Sequence, residues 1–458
     1  MDSVFKKNVF RALSSNFISI LTSIFIIIVL PKFVGLEEYS YWQLYIFYVS
    51  YVGFLHLGWT DGFYLIHAGK DTSELDHQRI SANYYSFIFC QIVLSIVLFS
   101  LSFYIENEYS KIIFYTSICL LITNIRSYSQ FILQASGRIK CYSNILITEK
   151  VILFLGILAV LILFDVNYEM VIIIDLLSRL VALLLSSSLC RNILFTIPLT
   201  YKSIATGFKD TPQYVSTGFK LMFSFICGLL IFGAVRFTIE IKWGLLVFGE
   251  VSLALSITTL FVVFINSISL VLLPMLRNVT EGLKKVIYIR IRFILFFSLL
   301  LLFNVYFPLN YFISLWLPDF KNSLIYLSLV FPVMLFESKV SILTNTYMKT
   351  LRKEFILLKG NLITLFLSLL FCVLVYFIID DIKACLVVLV LLSFFRYIYF
   401  DLFLSKIMGV IEFKYWFFDA LVVVFFIWSA SGEYWYFYSL ISIAILPLFL
   451  YELRKYNI

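Results

Sequence analysis

The fold of this chain is decided by residues 218–274, which read GFKLMFSFICGLLIFGAVRFTIEIKWGLLVFGEVSLALSITTLFVVFINSISLVLLP. The first part, residues 219–239, is apolar and carries one arginine, Arg236. A break follows at residues 240–249, and a second apolar run continues to the end of the stretch. Because about 20 apolar residues are enough to cross a bilayer as a helix, this order predicts two consecutive membrane-spanning helices.

The amino-terminal part of the chain has the same order of elements. An apolar run begins at residue 13, a polar break follows at residues 31–40, and another apolar run continues to residue 59. Moving this segment forward by 212 positions places Glu38 on Glu250. The shared order of span, short break and span predicts an internal repeat, as in transporters built from two related halves.

The composition excludes an ordinary soluble protein. Of the 458 residues, 62% are hydrophobic and only 14% are charged, and the mean hydropathy is +1.00. We therefore expect an all-α polytopic membrane protein with about 14 transmembrane helices. The candidate spans cover residues 13–34, 41–59, 82–104, 112–133, 145–164, 170–190, 219–239, 251–273, 293–317, 324–348, 360–379, 384–405, 415–430 and 434–452.

The order of these spans predicts two lobes. Residues 1–190 form an N-terminal lobe of six helices, residues 191–218 a cytoplasmic connector, residues 219–405 a C-terminal lobe of six helices, and residues 406–458 two additional helices. Because six is an even number, both lobes enter the membrane in the same direction, so we expect a pseudo-two-fold axis along the membrane normal. The final pair has no counterpart in the first lobe and is expected to be peripheral.

The positive charges predict the orientation of the chain. With the amino terminus in the cytoplasm, inside segments hold 24 of the 35 Lys and Arg residues, Arg292 among them, and outside loops hold 5. Cytoplasmic loops carry this excess in membrane proteins, so we expect both termini inside. The seven tryptophans fall at or near span ends, where their amphipathic rings prefer the interface.

Several function classes are disfavoured. The net charge of +8 is spread over separate loops, which topology explains better than nucleic-acid binding. The seven cysteines lie far apart, mostly in apolar spans, so we expect neither disulfides nor a metal site. The sequence has no P-loop, which disfavours ATP-driven pumping, and we expect neither an enzyme nor a cofactor.

Six cations fall inside the predicted spans. A charge at the centre of a membrane helix costs about 2.5–3.5 kcal/mol, so these residues need a partner or a water-filled cavity. Lys150 is near enough to the cytoplasmic end to extend its ammonium group to the interface. Arg236 lies four residues before Glu240 near the outer end of its span, which leaves an interfacial ion pair and a substrate contact both open. The others are Arg126, Arg179, Lys339 and Arg396.

Two carboxylates lie at comparable depth. Asp175 precedes Arg179 by four residues on one helix face, so the two can form an ion pair of their own. Glu337 and Lys339 are two residues apart, point in different directions and need different partners. Because a binding site of equal strength on both sides shifts no equilibrium, a carrier needs an energy source, and Glu337 or Asp175 is our candidate for proton or ion coupling.

Arg126 belongs to a polar stripe of its helix. Thr123, Ser127, Gln130 and Gln134 fall within about 60° of one another at roughly 100° per residue. Hydrogen bonding between helices is one explanation of such a stripe, and a face lining a hydrophilic cavity between the lobes is the other.

If the polar faces line one cavity, its fixed charges number +5 against −2. A cationic cavity suits a diphosphate, and the planar guanidinium fork matches phosphate geometry. The candidate substrate-binding residues are Arg126, Arg179, Arg396, Lys339, Arg236 and Gln130.

Residues 53–65, 30–40, 236–252 and 273–276 carry a family resemblance. There the chain resembles the bacterial polysaccharide (O-antigen or capsule type) flippases of the multidrug/oligosaccharidyl-lipid/polysaccharide exporter superfamily. The resemblance implies translocation of undecaprenyl diphosphate-linked oligosaccharide across the bacterial inner membrane by alternating access, with membrane lipids and the polysaccharide polymerase machinery as partners. Ser40 departs from the glycine that often occupies this position in the family.

Two other functions remain open at this point. A membrane-embedded polysaccharide polymerase or glycosyltransferase would be expected to have a large outside loop, and every predicted outside loop is about ten residues or fewer. A small-molecule exporter of the same superfamily that moves cations would call for a cavity dominated by carboxylates, whereas the charges inside these spans are mainly basic.

Overall fold

The computed structural model describes residues 17–277, 279–410, 413–432 and 434–444, together with residue 447. Within these residues the regular elements are all helices. The all-α, multi-pass architecture expected from the composition is therefore confirmed. The chain forms two compact units, Met1–Leu229 and Leu230–Ile458.

The first unit is built from helices α1 to α9 and the beginning of α10. Their bounds are α1 Phe17–Ile28, α2 Leu30–Val52, α3 Trp59–His67, α4 His77–Ser102, α5 Glu108–Ala135, α6 Ile139–Leu163, α7 Tyr168–Leu189, α8 Arg191–Leu194, α9 Tyr201–Gly207 and α10 Thr211–Arg277. A short 3-10 helix, Gly53–His56, continues α2.

The second unit begins within α10 and contains the remaining helices. Their bounds are α11 Glu281–Leu302, α12 Tyr306–Trp316, α13 Lys321–Val330, α14 Val333–Lys339, α15 Thr346–Thr350, α16 Glu354–Leu374, α17 Ile382–Met408, α18 Phe413–Ser431 and α19 Trp435–Ala444. Two π-helical turns, Val340–Asn345 and Val375–Ile379, follow α14 and α16.

The number of spans depends on how bent helices are counted. Among the described residues, eight helices are long and apolar enough to cross a membrane, and up to ten spans result if each of two bent pairs counts as one. The pair α1 and α2 is bent by 71°, and the pair formed by α13 and α14–α15 by 46°. The number of predicted segments exceeds ten for three reasons. Helix α10 covers two segments, and α1 and α2 are one segment each although they form a single bent pair. Helices α5 and α19 carry one segment each although neither is among the eight.

The internal repeat is visible in the backbone of each unit. Helix α2 breaks at Gly35 with φ 79° and ψ 175°, and α10 breaks at Gly244 with φ 84° and ψ 178°. This backbone region is essentially restricted to glycine. The breaks are 209 positions apart, so the register differs from the predicted 212 by three residues. Three residues are close to one helical turn, which keeps Glu38 and Glu250 on corresponding faces.

Close packing joins the start of α3 to the start of α10 inside the first unit. A Cβ atom on Gly62 would overlap the carbonyl oxygen of Tyr214, and one on Gly218 would overlap the carbonyl oxygen of Gly58. Gly58 and Gly62 have the Gly-x-x-x-Gly spacing that lets membrane helices approach closely. Residues 53–65, which carry part of the family resemblance, therefore position α10.

The segment 191–218 is packed on the first unit through Asn83 of α4. The Asn83 amide donates to the carbonyl oxygen of Gly207 at 2.9 Å. The Asn83 side-chain oxygen accepts hydrogen bonds from Trp59 Nε1 and Tyr128 Oη, each at 2.8 Å. This buried node fixes the segment against α3, α4 and α5.

One face of helix α18 packs into the second unit. The ring of Phe426 is centred 4.6 Å from that of Phe303 and 5.2 Å from that of Tyr306. Asp419 of the same helix is fully buried. Helix α18 thus contributes one buried face to the second unit, while most of its remaining surface is exposed.

We expect Gly244→Ala to lower the thermal stability of the protein in detergent micelles. Alanine in this backbone region carries strain on the order of 1–3 kcal/mol, although nothing within 4 Å would meet its Cβ atom. The matched control is Gly282→Ala, since Gly282 lies in α11 and also has open space around it. That change should leave the melting temperature unchanged or raise it. Equal effects of the two substitutions would contradict the strained break.

Candidate functional site

Asp175 links three helices of the first unit. Its Oδ2 accepts hydrogen bonds from Arg179 Nε at 2.7 Å and from Tyr45 Oη of α2 at 2.9 Å. Arg179 Nη1 in turn donates to Thr123 Oγ1 of α5 at 3.4 Å. The ion pair within α7 that the sequence left open is thus formed, and hydrogen bonds extend it to α2 and α5.

Arg126 pairs with Glu149 of α6, through Nη1 and Oε2. Nothing local in the sequence distinguishes Glu149, because its partner lies on another helix. One turn further along α5, Gln130 is buried, and within the described part of the chain its Nε2 has no hydrogen-bond partner. The polar stripe of α5 therefore serves partly for contacts between helices, and Gln130 retains an unused donor.

Arg396 joins α17 to α14 and α16 in the second unit. Its Nη1 donates to both carboxylate oxygens of Glu337, at 3.0 and 3.1 Å, and its Nε donates to Asn361 Oδ1 at 3.0 Å. The structure therefore brings together two of the predicted site residues, Arg396 and Glu337. Contacts to ionised groups of this kind are among the stronger hydrogen bonds in proteins.

Lys339 pairs with Asp419 of α18, and their side chains are only 1% and 0% exposed. The rings of Phe296 and Tyr397 are centred 5.4 and 5.2 Å from the ammonium group. Glu337 and Lys339 thus find different partners on different helices, as their spacing predicts. Asp419 was missed because it is distant in sequence from the lysine it neutralises.

Arg292 is placed differently from the sequence prediction. The prediction assigns it to a cytoplasmic loop, but it lies in α11 with its side chain 2% exposed. Its Nη2 donates to Asp401 Oδ2 at 2.7 Å, and Tyr288 Oη and Trp416 Nε1 also donate to the Asp401 carboxylate. The prediction is wrong because charge counting does not detect a neutralising partner 109 positions away.

Arg236 contacts the helix half that follows the Gly244 break. Its Nη2 donates to Ser252 Oγ at 2.8 Å, and its guanidinium carbon lies 5.0 Å from the centre of the Phe248 ring. These contacts hold the two halves of the broken helix α10 against each other within the second unit.

Ion pairing changes the charge expected inside the spans. Adding Arg292 gives six cations, and adding Glu149, Asp401 and Asp419 gives five carboxylates among the described residues of this set. Within this set the surplus is therefore one positive charge, where the sequence count gave three; two further buried carboxylates of α10, Glu240 and Glu250, lie outside the set. The acidic residues could have been found by requiring a counter-charge for every buried cation, but the sequence does not assign the partners.

Asp61 lies between Gly58 and Gly62 on α3, outside the spanning helices. Its Oδ2 is 3.7 Å from Nε2 of His56, and its side chain is 16% exposed. The backbone N–H of Gly58 donates to Nδ1 of His56 at 3.0 Å. Burial raises the pKa of Asp61 to about 6.

The sequence matches no protein-family model and no curated protein. Solved structures do match. The lipid II flippase MurJ in an inward closed conformation matches with a TM-score of 0.69 and 12% identity, over 98% of this chain and 99% of that one. An inward-facing multidrug resistance MATE family transporter of the MOP superfamily matches with a TM-score of 0.64 and 12% identity, over 86% and 94%. An outward-facing MATE transporter matches with a TM-score of 0.56 and 13% identity, over 88% and 96%.

The chain therefore shares its fold with a lipid II flippase and with MATE family transporters. At such low identity a structural likeness shows the fold alone. Function and cargo therefore have to be argued from the residues themselves.

We expect Asp419→Leu or Lys339→Met alone to destabilise the protein by about 3–5 kcal/mol, because each leaves a buried charge without its partner. The double variant removes both charges and should recover most of this loss. The measurement is the unfolding midpoint in detergent. Lys111→Gln is the control, since that lysine forms its ion pairs at 48% side-chain exposure and should have little effect. Additive losses in the double variant would contradict a coupled pair.

Asp61→Asn should stabilise the protein in mildly alkaline buffer. The raised pKa means that the folded state binds the proton more tightly than the unfolded chain, so the wild type gains stability as the pH falls through about 6. Asparagine is neutral at every pH, so its advantage, on the order of 1–3 kcal/mol, should shrink in acidic buffer. A melting-temperature gain of the same size at both pH values would contradict this account.

Proposed function

We propose that this chain is a flippase that moves undecaprenyl diphosphate-linked oligosaccharide from the cytoplasmic to the outer leaflet of a bacterial inner membrane by alternating access. Its partners would be the membrane lipids and the polysaccharide polymerase machinery. The observation that carries the proposal is the extent of the structural likeness. The lipid II flippase match covers 98% of this chain, and the two MATE matches cover 86% and 88%. A lipid cargo is therefore favoured over a small water-soluble one.

The packing of α18 supports the same choice. This helix contributes a buried carboxylate to Lys339 and an indole donor to Asp401. A helix that is tied by charge to α14 and α17 is part of the working structure of the second unit. A transport mechanism that involves only twelve helices would not explain why α18 carries a buried carboxylate paired with Lys339.

Arginine donors supply the recognition of a diphosphate in this proposal. Each guanidinium has five N–H groups, and the carboxylate partners of Arg126 and Arg179 occupy only some of them. Since the net charge of the paired set is close to zero, attraction by bulk charge is weak. Recognition would depend instead on the directed, bidentate hydrogen bonds that phosphate accepts from arginine.

The predicted head-group contacts can be ranked by exposure. The side chains of Arg126, Arg179 and Arg396 are 11%, 14% and 9% exposed, so a ligand can approach their edges. Lys339 is 1% exposed and enclosed by its partner and two rings. We therefore propose the three arginines, together with the unused Gln130 donor, as head-group contacts, and place Arg236 and Lys339 below them.

The second candidate is a small-molecule exporter of the same superfamily. The observation in its favour is the TM-score of 0.64 to an inward-facing multidrug resistance transporter. The reconstitution experiment below separates the two, because a drug exporter would not change the leaflet of a lipid-linked saccharide.

The test is translocation by the full chain in reconstituted vesicles containing a labelled undecaprenyl diphosphate-linked oligosaccharide. We expect wild-type protein to make the saccharide accessible to a lectin on the opposite side. Arg396→Ala should reduce this rate by about 10- to 100-fold, the loss expected when a charged hydrogen-bond donor is removed.

A double variant separates recognition from stability. Arg396→Ala with Glu337→Gln removes both charges of the pair, so it should regain stability and stay defective in translocation. Arg396→Lys should be intermediate, because lysine keeps the charge and loses the fork. Wild-type rates in the stable double variant would overturn the role of Arg396, and a wild-type protein that moves no lipid-linked saccharide would overturn the proposed function.

A further inference from the structure

Seven carboxylates of the described residues are buried, Glu240 of α10 among them. Five of them each contact a cation: Glu149, Asp175, Asp210, Asp401 and Asp419. Glu250 differs, because it is 5% exposed and its contact is a neutral amide, Asn322 Nδ2, 3.0 Å from Oε1. A carboxylate buried in this way has lost its hydration without gaining a counter-charge.

The surroundings of Glu250 explain why no cation reaches it. On α10 itself, Arg236 is directed to Ser252, and residues two apart lie roughly 200° around a helix, so this cation is on another face. On α13, Asn322 and Tyr326 are uncharged, and Lys321 is exposed. Asp381, at the start of α17, is the other charged group near Tyr326 and is acidic. An anion at Glu250 is therefore disfavoured by burial without a counter-charge.

The two carboxylates that the sequence favoured for coupling, Asp175 and Glu337, are each paired with an arginine, Arg179 and Arg396. A proton on either carboxylate would break an ion pair, because arginine does not give up its own proton. A proton on Glu250 would break no such pair, since its contact is the neutral Asn322 amide.

We propose that Glu250 is the proton-binding residue that couples this carrier to the proton gradient, an inference that rests on the proposed transport function. The carboxylate takes one proton from water and becomes a neutral acid. The Asn322 amide then contacts a protonated carboxyl group, which can donate a hydrogen bond as well as accept one. Because Glu250 lies six residues after the Gly244 break and contacts the start of α13, this exchange alters the contact between two elements of the second unit.

The internal repeat provides a matched control. Glu38 lies on the corresponding face of the first unit, and its Oε2 accepts the backbone N–H of Tyr168, the first residue of α7, at 2.6 Å. It is only half-buried. The amino terminus of a helix offers a carboxylate a favourable partner, which Glu38 has at α7 and Glu250 lacks in its contact with Asn322.

The first experiment detects the proton without measuring transport. Infrared difference spectra of the full chain in lipid vesicles are recorded between mildly alkaline and mildly acidic pH. Every variant carries Asp61→Asn, because the Asp61 carboxyl, whose pKa burial raises to about 6, would otherwise contribute its own band, and the Asp61→Asn protein serves as the wild-type reference. We expect the C=O stretch of a buried carboxylic acid to appear in the wild type and in Glu38→Gln, and to be lost in Glu250→Gln. Glu250→Asp keeps a titratable group and should retain a shifted band. An unchanged band in Glu250→Gln overturns the assignment.

The second experiment uses translocation of the labelled lipid-linked saccharide at the same two pH values. The wild type and Glu38→Gln should show a pH-dependent rate, whereas the rate of Glu250→Gln should be the same at both. A pH-dependent rate that survives in Glu250→Gln overturns the coupling role. If the wild type moves no saccharide while the infrared band behaves as expected, the proposed function fails and the proton site stands.

Discussion

The burial of charge inside an apolar bundle is the constraint on which the rest of the structure depends. Burying an isolated ion in such surroundings costs far more free energy than its packing contacts provide. A buried cation therefore needs an opposite charge as a partner. The pairs run from helix to helix: Arg126 joins α5 to α6, Arg396 joins α17 to α14, and Lys339 joins α14 to α18. Such pairs add little net stability over apolar packing, and their main effect is to select one arrangement of neighbours.

Helix α14 shows how a short element can organise a whole unit. Glu337 and Lys339 lie roughly 200° apart around it, so the two charges face two different neighbours. One side binds α17 through Arg396, and the other binds α18 through Asp419. The π-helical turn that follows α14 changes the register of the chain directly after this double contact. Turns of this kind occur often at functional sites.

The sequence was informative wherever the signal is local. Hydropathy located the spans, and the spacing of Asp175 and Arg179 indicated an ion pair that the structure contains. Long-range pairing could not be predicted, because nothing near Arg292 shows that Asp401 neutralises it. The break at Gly244 was placed within the correct ten residues, but its register was not, since a shift by about one helical turn leaves the polar pattern almost unchanged.

Pairing also changes how a charged cargo would act on the protein. A diphosphate that approaches Arg396 competes with Glu337 for the same donors, so binding would loosen the contact between α17 and α14. Glu337 is two residues from Lys339, whose partner lies on α18. Under the proposed function, cargo bound at Arg396 therefore affects α18, a helix that the cargo does not contact. A cavity of unpaired cations would bind phosphate more strongly but could not transmit its arrival in this way.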